Sequence, residues 1–90
     1  MELNKKNGNI CLTENGLEIE QYDLNNEINF KLLMQYLLSL KLSKKIDFVD
    51  SLEKKTPPEE NLCKIINSII IGYNNNVDEL IKYKEQNKIS

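Results

Sequence analysis

Residues 30–42, FKLLMQYLLSLKL, constrain the fold more than any other stretch of the chain. Nine of these thirteen residues are large and apolar or aromatic. Lys31, Gln35 and Ser39 recur at i, i+4 and i+8, so on a helix they form one thin polar stripe. A surface helix shows a wider polar face. The stretch is therefore expected to be a central helix, contacted on most sides, running over about residues 26–41. Asp23, Asn25 and Asn26 compete for its N-cap, and Glu27 suits the first-turn dipole.

Ahead of it stand two Asn-Gly pairs, Asn7-Gly8 and Asn15-Gly16. Asn-Gly favours the positive φ values of a type I′ turn, whose twist suits a tight hairpin. Two-residue loops there would pair Leu3 with Leu12, Leu12 with Ile19, and Glu14 with Leu17. Ile10, Leu12, Leu17 and Ile19 would then share one face of a three-stranded antiparallel meander. Glu18, Glu20 and Tyr22 would show on the outer face, beside Cys11 and Thr13. Such an acidic strand suits a basic partner surface; its bland alternative is solubility and protection of a sheet edge.

After the central stretch, Ser43 reads as the cap of a second helix over residues 44–55, with Ile46, Val49, Leu52 and Phe48 marking its apolar side. Thr56-Pro57-Pro58-Glu59 is the sharpest local signal. It supplies an N-cap, a proline at the first helical position and the returning acid of a capping box. Leu62, Ile65, Ile66, Ile69 and Ile70 follow at i, i+3, i+4, i+7 and i+8, an amphipathic helix. Gly72 and Asn74, Asn75 and Asn76 favour a break, with a last helix over 77–86. Against this, Leu62, Ile66, Ile69, Tyr73, Val77 and Leu80 keep one helical phase across the asparagines. Residues 88–90 are expected to fray. The fold class is thus α+β, one small domain over residues 1–90: an N-terminal hairpin or meander (residues 1–23) followed by three or four helices (24–90).

Several chemistries lack their residues. The chain has no Ala, Arg, His or Trp. Without His, the usual general base and commonest metal ligand are missing. Cys11 and Cys63 stand far apart, do not make a zinc site, and read as reduced intracellular thiols. Three glycines form neither a Walker nor a dinucleotide pattern. Asp47, Asp50 and Glu53 would be the only acid/base or cation-gathering set, and their spacing carries them around a helix. No enzyme, cofactor or metal is expected.

Charge is unevenly spread. Residues 1–30 carry six acids against two lysines, and residues 31–55 carry six lysines against three acids. Lys41, Lys44 and Lys45 lie where a helix-turn-helix over about residues 34–52 would turn. However, guanine edges are read chiefly by arginine, which is absent, and the pI is near 5.1. Nucleic acid is not the expected partner, and no apolar run is long enough to span a bilayer.

The expected function is a non-enzymatic cytoplasmic module that binds another protein: an inhibitor, an immunity protein or an accessory subunit. Its small size and AT-rich composition suit a phage, a mobile element or a bacterium. Glu18, Glu20 and Tyr22, with Lys44, Lys45 and Phe48, are the candidate contact residues. Self-assembly, as a homodimer, is the alternative. Residues 30–42 are apolar over more of their circumference than one small sheet and two helices would cover.

Overall fold

A computed structural model describes residues 1–86. Strands β1 (Glu2–Lys6), β2 (Asn9–Glu14) and β3 (Leu17–Tyr22) come first, then helix α1 (Lys31–Ser39), a two-residue strand β4 (Val49–Asp50) and helix α2 (Pro57–Gln86). The sheet order is β3-β2-β1-β4, with β4 parallel to β1 and the other pairs antiparallel. The fold is α+β, with two helices among the described residues rather than three or four. The expected fraying at 88–90 lies outside those residues.

Both Asn-Gly pairs make the anticipated turns. Asn7 and Gly8 sit at φ 52° and 81°, Asn15 and Gly16 at 53° and 80°, as a type I′ turn requires. Leu3 pairs with Leu12 and Glu14 with Leu17, as the sequence predicts. Between these points the register of β3 slips. Thr13 faces Glu18 but Leu12 faces Glu20, so Ile19 is an extra residue, a β-bulge. Because side chains alternate with period two, one inserted residue turns everything beyond it to the opposite face. Glu20 and Tyr22 therefore point into the core, Glu18 stays outside, and Leu17 is exposed.

The bulge has a purpose in the packing. Glu20 accepts a hydrogen bond from the Tyr22 hydroxyl (2.9 Å) and from the backbone N–H of Leu33 (3.2 Å). α1 has no side-chain cap from its own N-cap residue, Phe30. A carboxylate from the sheet thus satisfies an amide at the helix start, where the dipole favours negative charge. Asp23, Asn25 and Asn26, expected to cap the helix, instead close a turn of their own. Asn25 N–H and the Asn26 side-chain amide both donate to Asp23. α1 consequently starts later than predicted.

α1 also ends early. Lys41 and Leu42 take φ values of 51° and 55°, which no α-helix continues through. The expected second helix over residues 44–55 does not form, and Ser43 caps nothing. The segment runs irregular and extended into β4; the amides of Val49 and of Ser51, just past the strand, donate to the carbonyls of Met1 and Leu3. With residues 49–50 in a strand, no helix-turn-helix exists over 34–52.

α2 starts where the capping signal puts it and runs through the asparagines without a break. Asn74 explains why they are tolerated. Its side chain accepts from Ile46 N–H (2.8 Å) and donates to Ile46 C=O (2.7 Å), while the Tyr73 hydroxyl donates to Lys44 C=O (3.0 Å). These bonds hold the 43–48 segment against the helix and satisfy backbone groups that otherwise lack secondary-structure partners. Leu62, Ile66, Ile70, Tyr73 and Val77 form the buried stripe of α2, over Leu3, Ile10 and Leu12 of the sheet and Leu33 and Leu37 of α1 in one apolar cluster. Burying one such aliphatic side chain contributes about 1.5–3 kcal/mol. The central helix is therefore α2 and not α1. At 30 residues it is about 45 Å long, and it gives the molecule its 55 × 22 × 22 Å extents.

Candidate functional site

α1 buries only Leu33 and Leu37, one turn apart on a single face. Leu32, Met34 and Leu38 are 52%, 46% and 76% exposed. The expectation that residues 30–42 are contacted on most sides is corrected accordingly: much of their apolar surface faces outward.

Part of that surface is shaped. Met34, Leu38 and Leu42 form one wall of a groove of about 530 Å³, and Ile69, Gly72 and Tyr73 of α2 form the other. A methyl group placed on Gly72 would meet nothing within 4 Å, so the glycine leaves the groove open. Leu42 reaches the wall from its left-handed backbone conformation, next to Lys41 in the same region. Two consecutive non-glycine residues at positive φ cost about 1–2 kcal/mol each, and such strain concentrates at functional sites. Polar groups are few: Lys41, Ser68 and Asn76. Lys44 follows at the same end of α1, exposed, and Lys45 pairs with Asp78 of α2 at 2.8 Å. The groove is apolar inside, with one lysine, Lys41, in its lining.

The residues singled out from the sequence are dispersed. Glu18 is exposed on β3, whereas Glu20 and Tyr22 lie together beneath the sheet. Burial raises the Glu20 carboxyl above its ordinary value of 4.5, and its hydrogen bonds to Tyr22 and the α1 amides only partly oppose this. Burial and the adjacent Glu20 hold the Tyr22 phenol protonated far above its usual range. The two form a structural pair. Lys44 and Lys45 flank α2, and Phe48 is half-buried against the core. The groove-lining Met34, Leu38, Leu42, Ile69 and Gly72 were not anticipated. The signal that pointed to them was the excess apolar circumference of residues 30–42.

Burial raises both thiols, and for Cys63 a hydrogen bond to Asp50 (3.3 Å) raises it further. Asp50 is lowered first by its bond to Lys55. Asp47, Asp50 and Glu53 do not share a helix, since none lies in α1 or α2. Among the described residues no group of three or more His, Cys, Asp or Glu is placed to hold a metal. No helix among them is long and apolar enough to cross a membrane. Compared with protein-family models, with curated proteins and with solved structures, the chain matches none.

Proposed function

We propose that this is a small non-enzymatic, cytoplasmic protein-binding module, of the inhibitor, immunity or accessory kind, whose recognition surface is the groove between α1 and α2. The observation that carries this reading is the exposed apolar face of α1, which a chain this size has no folding reason to leave in water. The strained Lys41-Leu42 turn, which presents Leu42 to the groove, supports it. The occupant that fits is an amphipathic helix of another protein: apolar residues one turn apart enter the groove, and an acidic flank meets Lys41.

A second reading, self-association, is favoured by a different observation. α2 continues past Val77, its last buried residue, through residues 78–86 with Leu80 half-buried and Ile81 exposed. This helical arm carries Glu79 and Glu85 beside Lys82 and Lys84, with Asp78 already paired to Lys45, so a second copy offers Leu80 and Ile81 to the groove and two acids to its lysine.

The test uses tagged full-length chain in nuclease-treated lysate of its native host, beside a Leu38→Lys variant. Leu38 makes little of the core, so the variant should keep its stability within about 0.5 kcal/mol. The wild-type chain should retain one stoichiometric protein that the variant loses. Light scattering on the purified chain then separates the two readings: a monomer supports the foreign helix, a dimer lost in Leu38→Lys supports the second copy. Equal capture by both proteins would remove the groove from the function.

A further inference from the structure

A second concavity, of about 420 Å³, lies at the start of α2. Thirteen residues separate Glu59 from Gly72, which puts it about 20 Å along the helix axis from the groove. Its walls are the start of β2, the Asp23 turn and residues 56–59. Glu59 lines it and is 5% exposed. Carboxylate atom Oε1 accepts from the Thr56 hydroxyl (3.0 Å) and pairs with Lys5 Nζ (3.5 Å). Atom Oε2 is buried and has no partner among the described residues. An ionised carboxylate offers about four acceptor positions, so Glu59 is short of donors on one whole oxygen.

The surroundings select the kind of donor. Helix starts commonly attract anions through free amides, but Pro57 and Pro58 have no N–H, and the amide of Glu59 is directed to Thr56 Oγ1 at 3.5 Å. Two carboxylates, Glu59 and Asp23, outnumber Lys5, so the pocket favours cations. A metal ion lacks a third acidic ligand here. Lys5 brings a point charge to one oxygen from a half-exposed side chain. A guanidinium presents two parallel N–H bonds that match both oxygens at once. The chain has no arginine, so that group must come from another molecule.

We propose that this pocket is a binding site for a guanidinium group, seated on both oxygens of Glu59, with Lys5 displaced outward and Asp23 supplying the second negative charge. Ile10, Leu24 and Pro58 line the pocket and suit the aliphatic stem of an arginine side chain. The inference stands on its own residues and does not depend on the groove.

The experiment is a titration of the isotope-labelled full chain with N-acetyl-arginine amide, followed by amide chemical shifts. Free arginine and N-acetyl-lysine amide are run in parallel. Saturable shifts are expected at residues 5, 8–10, 23–25 and 56–60, with the lysine compound weaker by about fivefold or more, as expected of a single point charge. Both arginine compounds should bind, and the tighter one distinguishes a protein side chain from the free amino acid. Glu59→Gln should weaken binding by about tenfold, the scale of one lost charge-assisted bond. Lys5→Met, at a half-exposed position that leaves the core intact, should instead tighten it several-fold by removing the competing ammonium. Unsaturable shifts, equal binding of the lysine compound, or affinity unchanged in Lys5→Met would overturn the proposal, whether or not Glu59→Gln folds.

Discussion

The two helices reverse what their compositions suggest. α1 is apolar almost all round, yet it is short and buries two leucines. α2 is strongly mixed, with charged residues and three consecutive asparagines, yet it supplies the stripe on which the sheet and α1 both rest. Hydrophobicity alone does not decide which element is central; what decides is whether the apolar positions repeat in one direction for long enough. α2 keeps its phase from Leu62 to Val77. The apolar residues of α1 point in all directions, and a sheet with one partner helix covers only one of them. The excess faces solvent and forms the groove.

This contrast is easiest to break in α2. Ile66→Ala, at a fully buried position in the middle of the stripe, should cost about 2–5 kcal/mol, read from denaturant unfolding. The same truncation at Leu38 should be nearly silent, and a comparable loss at both positions would erase the distinction between the helices.

α1 is held differently, through Glu20. Glu20→Leu leaves the Leu33 amide and the Tyr22 hydroxyl buried without an acceptor, which should cost about 1–3 kcal/mol. The carboxylate also carries a pH dependence. Burial raises its value in the folded chain above 4.5, so the folded state keeps the proton longer than the unfolded chain. The contribution to stability is complete below about pH 4.5 and is lost as pH rises through the raised folded value. Glu20→Gln can preserve both bonds and should remove this part of the slope, measured as unfolding midpoint against pH.

The smallest expected effect sharpens the comparison from the other side. Gly72 lies inside α2, in helical backbone with open space where a side chain would begin. Gly72→Ala should therefore stabilise by about 0.5–1 kcal/mol, detectable as a higher Tm, while narrowing the groove by one methyl group. A gain in stability accompanied by weaker partner retention would show that the glycine serves the groove at the expense of the helix.

Where the sequence was legible, the signal was local. The Asn-Gly turns fixed Leu3 opposite Leu12, and Thr56-Pro57-Pro58-Glu59 fixed the start of α2. What it hid depends on contacts far away in the chain. The bulge at Ile19 leaves one faint mark, the shift of the apolar positions from Leu17 and Ile19 to Tyr22 across the polar pair Glu20-Gln21; what it serves, the Leu33 amide that Glu20 accepts from, lies thirteen residues farther on. Asn74 reads as a helix breaker because its bonds to Ile46 lie 28 residues away. The apolar excess of residues 30–42 was visible, but its placement as a groove wall depended on α2 taking the central position.

The most direct test of the contrast is native-state amide hydrogen exchange on the chain alone, at low concentration. The amides from Met34 to Ser39 of α1 should open at a clearly lower free energy than those from Ile66 to Tyr73 of α2, because two buried leucines and one carboxylate hold the first helix while the whole core holds the second. Equal protection of the two would contradict the contrast, since α1 would then open only together with the core and be held as firmly as α2.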